Sequence, residues 1–143
     1  MKGAHEFRIC LYLKEINSTI NNKINNRVKE RGLTQSQITV IKFIAHFKKL
    51  TITELSDYMS IKKSTCSGIV DRLEKMEVLE RVKDETDKRI TYIMFSKKGQ
   101  VLSNEIKEDI NGCFKEIFNS ISEEDLILIE NNLGKLSNLI QKN

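Results

Sequence analysis

Between about Glu6 and Arg31 the apolar residues Ile9, Leu13, Ile16, Ile20, Ile24 and Val28 recur every three or four positions. That spacing lines them up along one side of a single long amphipathic helix. Gly32 follows at a position suited to end it. A stripe of this length needs cover along all of it, from the rest of the chain or from a second chain.

Beyond Gly32 the helical period returns in shorter blocks, each with its own start signal. Thr34 and Gln37 form a capping box, in which the two side chains satisfy the first free backbone donors of a helix running to about Lys48. Thr51 and Glu54 repeat the device at the head of a short helix that carries Ile52, Leu55 and Tyr58 and ends near Met59. After a turn at Ser60 and Ile61, the segment from Lys62 to about Met76 puts Cys66, Val70 and Leu73 on one side, so it packs on the short helix as its partner across a tight turn. Leu79 to Lys83 and Ile90 to Phe95 are rich in Val, Ile, Tyr and Phe and flank the polar stretch Asp84-Glu85-Thr86-Asp87-Lys88, which reads as a hairpin. A further helix begins near Ser96 with Val101, Ile106, Ile110, Phe114 and Ile117. The last starts at Ser122 with Leu126, Ile129, Leu133, Leu136 and Ile140, and Ser122 with Asp125 resembles a third capping box. The expected fold is therefore mainly α with one small β-hairpin. In 143 residues without proline and with six scattered glycines, nothing marks a linker, and one domain over residues 1–143 is expected.

A helix-turn-helix binds DNA because its second helix fits the major groove, where side chains reach base edges. With Cys66, Val70 and Leu73 inward, Ser64, Gly68, Asp71 and Lys75 face outward, flanked by Thr65, Ser67 and Arg72. Small hydroxyl residues let such a helix sit deep, while Lys62, Lys63 and Arg72 reach phosphates on either side. A solvated helix face has a similar composition, so the hairpin carries the added weight. Its tip can lie along the adjacent minor groove, where an inserted Arg is drawn by the concentrated negative potential. Arg89 is the candidate, with Lys83 and Lys88 beside it. Asp87 is placed to hold the guanidinium or to shape the turn through an Asx-type hydrogen bond. Asp84, Glu85 and Asp87 would repel phosphates unless paired with Lys83, Lys88 or Arg89, which leaves a plain surface hairpin as the alternative.

The run Leu33-Thr34-Gln35-Ser36-Gln37, then Thr53-Glu54-Leu55, Asp71-Arg72-Leu73-Glu74-Lys75, and above all Asp87-Lys88-Arg89 followed by Phe95-Ser96-Lys97-Lys98-Gly99, resembles the multiple antibiotic resistance regulator (MarR) family. The Asp-x-Arg wing signature at this distance behind a helix-turn-helix carries most of it. The resemblance implies a winged helix-turn-helix lobe over residues 34–98, dimerisation helices over 6–31 and 100–142, and a homodimeric transcriptional regulator of double-stranded DNA, with repression as the family default. It places Thr65, Ser67 and Gly68 at base edges, Arg72 and Arg81 near phosphates, Arg89 in the minor groove and Asp87 as the wing's organiser. Members commonly respond to small phenolic or other anionic effectors bound between the dimerisation helices and the DNA-binding lobe. Some sense oxidants through a cysteine in the first helix; Cys10 invites that comparison, offset by about one residue. Two positions depart from the pattern. Glu77 stands where a Gly commonly ends the recognition helix, and Asp71 sets a negative charge beside the groove, with Lys75 one turn on as its expected partner.

Composition narrows the classes further. The formal charge of +4 reflects 24 basic against 20 acidic residues and favours an anionic partner mildly, so the distribution of charge must decide. No stretch approaches the roughly 20 apolar residues of a membrane span. The N-terminus lacks a basic segment followed by an apolar one, which predicts a cytoplasmic protein. Cys10, Cys66 and Cys113 are three widely spaced thiols, fitting reduced residues and not a disulfide framework; beside Ile9 and Leu13, Cys10 also reads as a small core residue. No cluster has metal-ligand spacing, and no glycine-rich phosphate loop, nucleophile elbow or metalloprotease motif is present, so neither a cofactor nor an enzyme is expected. A winged helix used for protein interaction without DNA is the remaining alternative, and salt-dependent binding to duplex DNA separates the two.

Overall fold

The computed structural model describes residues 2–142. Its elements run α1 (Lys2–Lys29), α2 (Gln35–Phe47), α3 (Ile52–Met59), α4 (Lys63–Lys75), β1 (Leu79–Lys83), β2 (Thr91–Phe95), α5 (Lys97–Phe118) and α6 (Glu123–Gln141). Both expected capping boxes form in full, at Thr34 with Gln37 and at Thr51 with Glu54. At α6 only half of the device forms: the Ser122 hydroxyl accepts from the Asp125 N–H. An Asp side chain is one methylene shorter than the Glu or Gln that closes a capping box. Gly32 ends the turn after α1 with φ of 75°, a backbone region where a side chain is strained.

The core gathers Leu33, Ile38, Val40, Ile41 and Ile44 with Leu55, Cys66, Val70 and Leu73, closed by Val78, Leu79 and Ile93 from the hairpin side. The strands pair antiparallel from Leu79 opposite Phe95 to Lys83 opposite Thr91. Leu50 adds a third, one-residue rung through mutual hydrogen bonds with Ile93, of 3.2 and 2.7 Å. β2 begins at Thr91, one residue later than the sequence reading, because Ile90 belongs to the turn: its N–H donates to the Asp87 carbonyl and its carbonyl accepts from the Asp84 N–H.

The C-terminal half of α1 packs on α5, burying Ile24, Val28, Ile106 and Cys113. Arg31 ties the two helices to each other through Asp109 at 2.6 Å and Glu105 at 2.8 Å, and Arg27 adds Glu116 at 2.7 Å. The Arg31 hydrogen bond holds the Asp109 carboxyl below the usual carboxylate range, against the opposing effect of partial burial.

The rest of α1 lies open. Phe7, Ile9, Leu11, Tyr12, Leu13 and Ile16 are exposed large hydrophobics, and α6 buries none of its residues, leaving Ile129, Leu133 and Ile140 exposed. Cys10 lies on this open part and is exposed, so it is not a core residue; Cys66 and Cys113 are. The α1 stripe is thus continuous in sequence but covered over only half its length within the chain. Among the described residues no helix is long and apolar enough to cross a membrane.

Candidate nucleic-acid interface

The α3–α4 pair is set by the turn between them. Ser60 takes a left-handed φ of 55°, and the Ile61 N–H donates to the Ser56 carbonyl at 3.1 Å. Leu55 and Ser56 are buried on one side of the turn and Cys66, Val70 and Leu73 on the other. Burial pushes the Cys66 thiol up, so it stays protonated and inert.

With that side fixed, α4 presents the outward face expected. Lys62, Lys63, Ser64, Thr65, Gly68, Asp71 and Arg72 are exposed and Ser67 is half-buried. A Cβ on Gly68 would meet nothing within 4 Å, so no packing in the chain requires glycine there.

The end of α4 explains how the fold tolerates Glu77. The Glu77 N–H donates to the Glu74 carbonyl and the Val78 N–H to the Leu73 carbonyl, both at 2.9 Å. These are the two bonds of a Schellman closure, and buried Val78 and Leu73 supply its apolar contact. The left-handed residue between them is Glu77, with φ of 62°. A position that favours glycine is held by a glutamate because the bonds around it fix the backbone.

The hairpin tip is built by two aspartates. Asp84 Oδ2 accepts from the Thr86 N–H at 3.2 Å, the Thr86 hydroxyl at 2.8 Å and the Asp87 N–H at 2.9 Å. Asp87 Oδ1 accepts from the Arg89 backbone N–H at 3.1 Å and from Nε at 3.0 Å, while Oδ2 accepts from Nη2 at 3.2 Å. Asp87 therefore fills both expected roles, Asx turn and guanidinium clamp. The Arg89 guanidinium holds Asp87 below the usual carboxylate range, and the Asp87 N–H does the same for Asp84. Of the three acidic residues at this tip, Asp87 takes one of the expected cations, Arg89, while Asp84 is held by neutral donors. The Arg89 side chain stays 90% exposed.

Asp71 differs from expectation. Its carboxylate pairs not with Lys75 but with Arg81 on β1, at 2.5 Å, and Arg81 also donates from Nε to Glu74 at 2.9 Å. The strand brings a forked, preorganised donor to the helix flank, which outweighs a flexible lysine one turn away. Lys83 and Lys88 are exposed on the hairpin, and Lys49 lies over the Tyr92 ring at 4.4 Å. The role of Asp84 was missed in the sequence; the Asp-x-Thr spacing of an Asx turn is the signal that marks it.

Residues 31–90 match the MarR family model. Over 130 residues, 91% of this chain and 89% of the relative, the sequence is 27% identical to the HTH-type transcriptional regulator YsmB of Bacillus subtilis. In sequence the chain is similar to the MarR family. It is 28% identical over 90 residues to the homoprotocatechuate degradative operon repressor of Escherichia coli, which covers 63% of this chain and 61% of that protein. The structure of a MarR family protein from Bacillus stearothermophilus superposes with a TM-score of 0.84 over 99% of each chain at 23% identity, which establishes the winged-helix fold. Both of these curated relatives are named as regulators of transcription.

Proposed function

We propose that this protein is a MarR-type regulator that binds a pseudo-palindromic DNA operator as a homodimer and represses transcription until a small anionic ligand releases it. The observation that carries DNA binding is the wing tip: an arginine left almost fully exposed yet fixed at three points by Asp87. Ordering a long charged side chain in solvent has an entropic cost, and a preorganised guanidinium repays it when it enters a minor groove. On this reading Ser64, Thr65, Ser67 and Gly68 lie along base edges, Lys62, Lys63, Arg72, Lys83 and Lys88 on phosphates, and Arg89 in the minor groove.

The exposed apolar surface of α1, α5 and α6 supports the dimer. Ile16, Ile20, Ile117, Phe118, Ile129 and Leu133 line one open apolar trough that a monomer leaves in water. We assign residues 34–98 to the DNA-binding lobe and residues 6–31 and 100–142 to the dimer interface, which sets two recognition helices about 34–36 Å apart. For the effector, a pocket of about 310 Å³ between α2 and α5 joins the apolar Ile41, Ala45, Ile106 and Ile110 to Lys42, His46 and Lys107. That lining fits an aromatic acid, with its ring on the apolar floor and its carboxylate beside Lys42 and Lys107. Repression agrees with the name of the E. coli relative.

The test is Arg89→Ala, read by fluorescence anisotropy on duplex operator DNA at several salt concentrations. Affinity should fall on the order of tenfold or more, with the melting curve and dimer unchanged. Unchanged affinity would overturn the wing assignment.

A further inference from the structure

Two arginines stand on the hairpin, and the fold treats them oppositely. Arg89 at the tip is 90% exposed, whereas Arg81 in β1 is 35% exposed and turned onto the recognition helix. There it bridges Asp71 and Glu74. Asp71 shares the outward face of α4 with Ser64 and Gly68, and its side chain remains 56% exposed; that of Glu74 is 43% exposed. A helix entering the groove of a polyanion thus carries two carboxylates three residues apart on or beside its contacting face. Unopposed, they repel each other along the helix and repel the phosphates on either side. One forked guanidinium takes both.

We propose that Arg81 is a positioning residue: it serves DNA binding as an internal counter-charge for Asp71 and Glu74, without anchoring a phosphate itself. This rests on the DNA-binding reading above. With both carboxylates engaged, the guanidinium leaves only part of its fork free and much of its charge offset. Its removal exposes two uncompensated negative charges at the interface. The inference also accounts for an acidic residue on a DNA-facing helix: Asp71 is tolerated because β1 carries its partner.

A double-mutant cycle separates this from a phosphate contact. The probe is a fluorescein-labelled duplex recovered by the wild-type protein from a random-sequence pool, titrated across a range of salt concentrations, with circular dichroism and sedimentation on every variant. Arg81→Gln should weaken binding on the order of tenfold, and Arg81→Lys, which keeps the charge but loses the fork, should restore only part of that loss. The Asp71→Asn/Glu74→Gln protein should bind at least as tightly as wild type. Adding Arg81→Gln to it should change affinity by less than about twofold, because there is nothing left to neutralise. An equal loss from Arg81→Gln in both backgrounds, with a salt slope lower by about 0.9, would overturn the proposal and make Arg81 a phosphate anchor. If Arg81→Gln fails to fold alone, the Asp71→Asn/Glu74→Gln background supplies the deciding comparison. Recovery of no duplex by the wild type would instead overturn the DNA-binding reading, and the proposal with it.

Discussion

Of the six glycines, Gly99 has the least room around it. It lies in the first turn of α5, directly behind the wing, where the Ser96 hydroxyl accepts from its N–H at 3.0 Å. The Ser96 N–H donates to the Val78 carbonyl at 3.1 Å, and the Ser96 hydroxyl reaches the Glu77 carbonyl, so α5 is pinned to the end of the recognition helix. A Cβ at residue 99 would collide with the Val78 carbonyl oxygen and carbon and crowd Phe95. The obstacle is backbone, which cannot rotate away, so Gly99→Ala must displace the start of α5. Overpacking of this kind costs about 1–3 kcal/mol. Weakening the Ser96 hydrogen bonds to the residue 77–78 carbonyls adds about 1 kcal/mol, and alanine's better helix propensity returns roughly 0.5 kcal/mol. A net loss of about 1.5–3.5 kcal/mol is expected. Urea unfolding followed by circular dichroism, at one fixed protein concentration for both proteins, measures it. A Gly99→Ala variant with an unchanged midpoint would refute the packing argument. A variant folded but released from DNA would show that the junction sets the wing's angle.

The other predictions follow from equally local features. Glu77→Gly should stabilise by roughly 0.5–1 kcal/mol, because relief of the left-handed strain exceeds glycine's extra freedom in the unfolded chain; a lower melting temperature would contradict it. Gly68→Ala should raise stability by up to about 1 kcal/mol, since its methyl meets open space inside a helix, yet weaken DNA binding; an unchanged affinity would place Gly68 away from the bases. Asp109 has its folded pKa depressed by Arg31, so its contribution is fully present above the unfolded carboxylate value near 4 and is lost as pH falls through the folded one. An acid-unfolding profile should therefore be flatter for Asp109→Asn than for wild type, and identical profiles would remove Asp109 as a contributor. Leu133→Glu, on the open face of α6, should shift micromolar protein toward monomer in sedimentation velocity.

Much of this was legible in the chain because it rests on local chemistry. Thr34 with Gln37 and Thr51 with Glu54 announce helix starts through neighbours three residues away, and Asp87 with Arg89 specifies its clamp within a single turn. What the sequence did not reveal depends on strands and helices meeting across distance. The partner of Asp71 is ten residues away on β1, reached only because the Schellman turn at Glu77 folds the strand back along α4. The pairing of Leu50 with Ile93 is another such meeting, made by a single residue with no strand pattern around it. The periodicity of α1 reports an apolar face along its full length but not which half the same chain covers. That division appears only once α5 is seen to reach Ile24 and Val28 and to leave Ile9, Leu13 and Ile16 exposed.

The central claim, that two wings and two recognition helices read one operator, is tested most directly by selection from a random-sequence duplex pool with the purified protein, followed by footprinting of the winners. The account predicts an inverted repeat whose half-sites are centred about 10 bp apart, with protected minor-groove positions flanking each half-site where Arg89 enters. Enrichment of an isolated half-site, or no enrichment over the starting pool, would contradict it.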